Sequence, residues 1–413
     1  MVHHALRQTT IGVASLLAFA AGQFAAAPRA SAQLPPPPIA VVPTAEPETP
    51  ASAAMTIPPL TGPLVANPKP MSTDFGDPFG TIYLTGALTG LGLFQSDPVA
   101  VDHNNHIDLS NAQISIQKTE GWFQFFGQAA GYSLPALGTP YLHMGRTTGN
   151  TFGPIPIVWG KWAPSDTFSL QGGKLPTLIG AEYMYTFQNM NIERGLLWAQ
   201  EPVVSRGVQA NYTMGPLAVS LSLNDGFYSE VYNWVSGSAA YTIDKQNTIS
   251  VVGGGNFDHT TKPSTLRTPL AQNNSTIINL IYTYNAAPWT ITPYFQYTNV
   301  PRNPGLGFGS DASTYGGAIL ASYAINDNVS IAGRFEYIAS SGNAGAGSPN
   351  LLFGVGSSAM SFTLTPTWQN GIFFVRGEGS VVEAFSTAPG AAFGKAGNTT
   401  TQVRALIEGG IVF

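Results

Sequence analysis

The sequence predicts an all-β fold, a transmembrane antiparallel up-and-down β-barrel of about sixteen strands. Three observations carry this. From Thr81 onward, segments alternate apolar and polar residues with period two, the pattern of strands whose two faces meet different surroundings. Very short turns alternate strictly with longer loops along the chain. The chain also ends on such a strand, with Gln402, Arg404 and Glu408 on one face and Val403, Ala405, Ile407, Ile411 and Phe413 on the other. A strand that is charged on one side and oily on the other suits a wall between water and hydrocarbon.

Composition narrows the alternatives. Charged residues make up 9% of the 413, against about 25% in ordinary soluble proteins. Gly at 46, Phe at 23 and Tyr at 16 fit many strands, tight turns and aromatic girdles at two interfaces. The absence of Cys excludes a disulfide framework and thiolate metal or redox sites. A formal charge of −5 without basic clusters excludes nucleic acid as a partner. No cofactor is expected.

Residues 1–32 read as a secretory signal peptide. Arg7 supplies the positive start, residues 11–21 form a short apolar run, and Ala30-Ser31-Ala32 gives a small-x-small cleavage site before Gln33. The run falls short of the roughly 20 residues that a spanning helix needs. No other segment is long and apolar enough, so a membrane form must be a closed barrel, which satisfies every backbone group between strands. Residues 33–74 are dense in proline, from Pro35-Pro36-Pro37-Pro38 to Pro70. Proline lacks the amide that a strand ladder needs, so this reads as a polyproline-like periplasmic linker. The barrel is expected over residues 75–413.

Within the barrel, Ile82, Leu84 and Leu88 oppose Thr85, Ala87 and Thr89. Leu217, Val219, Leu221 and Leu223 oppose Ala218, Ser220, Ser222 and Asn224. Phe335 and Tyr337 oppose Arg334 and Glu336, and Phe362, Leu364 and Trp368 oppose Thr363, Thr365 and Thr367. Short turns fall at 118–121, 163–166, 213–216, 243–246, 285–288, 325–327 and 368–371, rich in Gly, Pro, Asn and Asp. Longer loops lie between them, at about 96–106, 133–153, 175–200, 227–232, 259–273, 300–311, 341–355 and 385–399. Short turns on one rim and long loops on the other is how bacterial barrels are built, the short rim facing the periplasm. A soluble β-sandwich would put its apolar face inside. Here the polar faces hold Arg334 with Glu336, Arg376 with Glu378 and Arg404 with Glu408, too polar for a dry core.

Residues 175–200 form the third long loop, less polar than the others through Tyr183, Tyr185, Phe187, Leu196 and Leu197. Its apolar face and helix-compatible length suggest a segment packed against something. Gly180 and Glu182, the run Asn189 to Gly195 with its Arg194, Glu201-Pro202 and Arg206-Gly207-Val208 resemble the β-barrel porin type-two (OmpL-like) family, within the Gram-negative outer-membrane porins. The resemblance covers residues 75–413. It implies a third loop folded into the lumen, a homotrimer, and passive diffusion of small hydrophilic solutes through a water-filled channel.

Charges on such a loop facing charges on the wall set a transverse field that sorts solutes. Glu182, Glu193 and Arg194 are the expected pore constriction, and Lys161, Arg334, Glu336, Arg376, Glu378, Arg404 and Glu408 the expected lumen wall. Two roles stay open for Glu182 and Arg194: gating charges, or salt bridges that fix the loop to the wall. Arg206 falls on the apolar side of its strand and is expected at a rim. Phe413 is the expected assembly signal, read by the barrel-assembly machinery, with lipid and lipopolysaccharide as surroundings. A sugar-type cargo would need aromatic rails, for which Tyr83, Trp122, Trp159 and Tyr294 are the candidates. A barrel that only tethers envelope layers through the Pro-rich arm is a further alternative.

Asp102, His103, His106 and Asp108 have spacing that can converge on a metal, but an Asn-rich solvated loop explains them better, so no metal site is expected. No nucleophile-elbow sequence surrounds any Ser, and the His residues beyond the signal all sit in expected loops. The chain is not expected to be an enzyme.

Overall fold

A computed structural model describes residues 60–77, 79–262 and 269–413. The expected signal peptide, its Ala32–Gln33 cleavage point and the linker up to residue 59 lie outside the described residues. In chain order the strands are β1 (Met71–Asp74), β2 (Thr81–Gln95), β3 (Asn105–Lys118), β4 (Phe123–Tyr132), β5 (Val158–Ser165) and β6 (Phe168–Pro176). There follow β7 (Val204–Met214), β8 (Leu217–Asn224), β9 (Trp234–Thr242), β10 (Asn247–Asn256), β11 (Thr276–Ala286) and β12 (Trp289–Val300). The last are β13 (Ala312–Ala324), β14 (Val329–Ser340), β15 (Ser358–Asn370), β16 (Phe373–Phe385) and β17 (Thr401–Val412).

From β2 to β17 each strand pairs antiparallel with its neighbour in sequence. β17 then pairs back onto β2, from Arg404 opposite Gln95 to Val412 opposite Ala87. That seam closes a barrel of the expected sixteen strands and removes every open edge but the rims. Gly86 and Phe413 exchange backbone hydrogen bonds of 2.8 and 3.0 Å, so the terminal aromatic stands at the end of the seam. The extra strand, β1, lies inside the stretch expected to be linker and pairs with Thr81–Leu84 of β2.

Side chains alternate across the wall with polarity opposite to that of a soluble protein. On β14 and β15, Phe335, Tyr337, Phe362, Leu364 and Trp368 are exposed, while Arg334, Glu336, Ser361, Thr363 and Thr365 are buried. On β16 and β17, Val375, Val403 and Ile407 are exposed and Arg376, Glu378, Arg404 and Glu408 are buried. A continuous apolar exterior of this extent would drive association in water. In hydrocarbon the same surface is at its lowest free energy, because lipid tails and these side chains are equally apolar. No described helix is long and apolar enough to cross a membrane.

The connections keep the alternation of length. The turns between β7 and β8 and between β15 and β16 have two residues each, Gly215-Pro216 and Gly371-Ile372. At the other rim lie the loops 96–104, 133–157, 177–203, 225–233, 301–311, 341–357 and 386–400, and the segments 257–262 and 269–275. An apolar cluster joins the loops 133–157, 177–203, 341–357 and 386–400, with Leu137, Leu196, Leu197, Phe353 and Phe393 all buried.

Candidate functional site

The loop 177–203 joins β6 to β7, and every residue from 184 to 198 is buried. It packs as expected, but not as a helix. Its regular parts are two 3-10 turns, Thr186–Gln188 and Trp198–Gln200. Buried irregular backbone has no ladder to satisfy its amides and carbonyls, and each one left unpaired costs about as much as a lost hydrogen bond. The partners come from charged side chains on the buried faces of β14, β16 and β17.

Carboxylates serve the amides. Glu378 accepts from the Ile192 and Glu193 amides, the latter at 2.9 Å. Glu336 accepts from the Leu196 amide at 3.0 Å and the Leu197 amide at 3.4 Å. Within the loop, Glu182 accepts from the Gly195 amide at 2.8 Å. Guanidiniums serve the carbonyls. Arg334 donates to the Glu193 carbonyl at 2.6 Å, and Arg376 to the Asn189 and Thr186 carbonyls at 3.0 and 2.9 Å. Arg404 donates to the Ala136 and Thr139 carbonyls of the neighbouring loop 133–157, at 3.0 and 2.7 Å.

The same groups pair with one another. Arg334 bonds Glu182 at 2.6 Å, Arg404 bonds Glu193 at 2.6 Å, and Arg376 bonds Glu408 at 2.5 Å. All are essentially without solvent contact, where charge is tolerated only when matched and hydrogen-bonded. Glu408 also accepts from Ser110 at 2.7 Å and from the Thr186 hydroxyl. Neutral wall residues add to the set: Thr365 meets Asn191 at 2.7 Å, and Gln296 donates to the Leu197 carbonyl at 3.0 Å.

Two glycines make the close fit possible. An ideal Cβ on Gly195 would sit 2.0 Å from Glu336 Oε1, so any side chain would displace the carboxylate that holds the next two amides. Gly180 has a φ of +92°, and a Cβ there would meet Glu201 Oε2 at 1.8 Å. Glu201 itself lies on the loop with neither carboxylate oxygen hydrogen-bonded among the described residues. Burial, together with the nearby Glu182 and Glu336, pushes its carboxyl well above the ordinary range.

The structure brings together nearly all the site residues picked from the sequence. Glu182 and Glu193 each pair with the wall, and Arg194 is buried with its guanidinium 5.0 Å from the Trp198 ring. The Arg194 backbone also joins loop 133–157, its amide donating to the Pro135 carbonyl and its carbonyl accepting from the Leu137 amide. Lys161 stands apart, beside a recess at the short-turn rim. Arg206 sits near the long-loop rim, tied to Asp225 at 2.8 Å and Glu230 at 3.1 Å, and 3.8 Å from the Tyr228 ring. Among the aromatic candidates, Tyr83 and Tyr294 are buried, Trp159 stacks on Phe126, and Trp122 is exposed in a turn. Asp102 and His106 pair at 3.0 Å, and Asp108 meets His143, leaving no group able to hold a metal among the described residues.

Sequence reasoning passed over the neutral members Ser110, Thr186, Thr365 and Gln296. Thr365 and Gln296 stand at ordinary alternating strand positions, Ser110 at a shift of register in β3 and Thr186 in a 3-10 turn, none with a distinguishing local signal. It also passed over the residues around 60–66. The Thr61 and Gly62 amides donate to the Gln188 carbonyl at 2.8 and 3.2 Å. Val65 and Gln369 of β15 bond each other twice, both at 2.7 Å, and Leu64 is buried. This part of the proline-rich segment is docked on the loop 177–203 and on the wall.

The architecture has counterparts among solved structures. The anion-selective porin from Comamonas acidovorans is 12% identical, with a TM-score of 0.56 over 80% of this chain and 99% of that chain. In-vitro-folded OmpT of Vibrio cholerae, in its trimer form, is 13% identical, with a TM-score of 0.54 over 80% of this chain and 99% of that one. Salmonella typhi OmpF in complex with daunomycin is 13% identical, with a TM-score of 0.53 over 83% and 100%. At such identities the likeness is one of fold. No curated protein matches the sequence. A family model described as "Putative beta-barrel porin-2, OmpL-like" matches residues 81–413, from the first barrel strand to the terminal Phe. With this match over a closed barrel of apolar exterior, the chain belongs to this family of β-barrel porins, as a channel protein of the outer membrane.

Proposed function

We propose that the protein lets small hydrophilic solutes diffuse passively across the outer membrane, down their own gradients and without a cofactor. The carrying observation is the inverted polarity of a closed sixteen-stranded wall, apolar where exposed and charged or hydroxylic where buried. A barrel of this size has room for a channel. In this reading the loop 177–203 lies within the barrel and narrows it. The support is its bonding to the buried faces of β14, β15, β16 and β17. Glu182, Glu193 and Arg194 then define the constriction chiefly by holding the loop in place, with Arg334, Glu336, Arg376, Glu378, Arg404 and Glu408 as the wall that receives them. Lys161 lines the wider mouth.

The remaining expectations belong to the same proposal. Export follows from residues 1–32 with cleavage before Gln33, and Phe413 serves as the assembly signal at the seam. Lipid and lipopolysaccharide surround the apolar exterior. A homotrimer is proposed on the likeness of fold to the trimer form of OmpT. The test is liposome swelling with uncharged sugars of increasing size. The expected result is rapid swelling with small sugars and a fall to the lipid background above a size limit. Swelling at background with every sugar would overturn the proposal and favour a barrel that only tethers.

A further inference from the structure

The charged groups that hold the loop 177–203 lie towards β14, β16 and β17, closed off from solvent, and six of them form the pairs Arg334–Glu182, Arg376–Glu408 and Arg404–Glu193. On the loop's other side is a cavity of about 530 Å3, bounded by β9 to β13. Its wall presents Ser238, Ser250, Thr283, Asn285, Thr290 and Thr292. No Asp, Glu, His, Lys or Arg is among its lining residues, of those described. A second cavity of about 530 Å3 adjoins it towards the short-turn rim, sharing Thr61, Gly62 and Thr290, with Asp327 as its single carboxylate among the described residues. A separate recess of about 750 Å3 does carry Glu120, Lys161 and Asp166, but none of its lining residues comes from the loop.

We propose that solutes pass the loop on this uncharged side, so that the channel favours neutral hydrophilic molecules over ions of either sign. The inference rests on the diffusion-channel reading above and names its substrate class. Hydroxyl and amide side chains both donate and accept, so they exchange hydrogen bonds with a polyhydroxylated solute nearly one for one. An ion of either sign loses part of its water shell in the same passage and meets no fixed counter-charge. The ion pairs on the far side of the loop, Arg334 with Glu182, Arg376 with Glu408 and Arg404 with Glu193, do not replace it, because their charges already compensate one another within hydrogen-bond distance.

The experiment compares the wild-type protein with Ser250→Asp and Thr292→Lys in planar bilayers under a KCl gradient. It adds liposome swelling with a neutral hexose, its uronic acid and its amino sugar. For the wild type, K⁺ and Cl⁻ permeabilities are expected within about twofold of each other. The neutral hexose should enter several-fold faster than either charged analogue. Ser250→Asp should move the permeability ratio towards cations, and Thr292→Lys towards anions. A wild type that conducts with strong preference for one sign overturns the inference and leaves the channel standing. So does a pair of folded variants with unchanged ratios, since solutes would then pass elsewhere. Absence of both current and swelling overturns the channel itself and the inference with it.

Discussion

Arg404 reaches four acceptors on three segments: Glu193 of the loop 177–203, the Ala136 and Thr139 carbonyls of the loop 133–157, and Gln95 of β2. A guanidinium suits this task because its donors form a rigid planar fork and it stays charged when buried. Its removal leaves Glu193 as a buried carboxylate with a 3.5 Å contact to Ser380 and no cation. Breaking one member of a buried pair costs about 3–5 kcal/mol. Arg404→Met is therefore expected to lower the unfolding midpoint in detergent and to raise single-channel current noise as the loop loosens. Adding Glu193→Leu to Arg404→Met should recover part of that loss, because the double variant buries no lone charge. A double variant as unstable as the sum of the two single ones would show that the pair does not act as a unit.

At the scale of elements, the loop 177–203 has almost no regular structure of its own and borrows its hydrogen bonds from the wall. That arrangement was only half legible in the sequence. The charged wall residues stood out, since Arg334, Glu336, Arg376, Glu378, Arg404 and Glu408 punctuate strands that are otherwise apolar and hydroxylic. Their pairing did not, because it depends on which turn of an irregular loop meets which strand, and no local pattern encodes that. The segment 60–66 was illegible for a different reason. Proline-rich composition points to a spacer, yet proline leaves carbonyls and the remaining amides free to bond across. Gln369 holds the segment through its side-chain amide, whose oxygen accepts from the Val65 amide and whose nitrogen donates to the Val65 carbonyl. Gln369→Ala should make the segment more susceptible to protease in reconstituted protein, and raise conductance by widening the neighbouring cavity. Unchanged cleavage and conductance would show that the contact does not hold the segment.

For the molecule as a whole, strand number and the outward-facing apolar side of each strand were the most legible features. Period-two patterning is local, and turn lengths read directly along the chain, so sixteen strands could be counted without knowing their partners. β1 escaped because a four-residue strand between prolines carries no periodic signal. The exposed face supplies a direct test of the bilayer reading. Leu364 lies on β15 pointing away from the buried polar face, opposite Gly333 and Gly379 in the ladder. Leu364→Arg is expected to cost about 2–4 kcal/mol of folding free energy in lipid if it sits near the bilayer midplane. Urea titration in liposomes would measure it, and a cost near zero would place this face in water.

Residues 60–66 carry one more implication. They lie against Gln369 of β15 on one side, while Thr85, Gln113, Ser115 and Gln128 of β2 to β4 border the small gap beside Leu60 and Ala66. Only a few residues later the same stretch of chain becomes β2, the strand that must still zip to β17. A tail lodged against these staves after the hoop has tightened must have everything upstream of it threaded in through a mouth. Seating the tail before the initial and final staves meet avoids that threading.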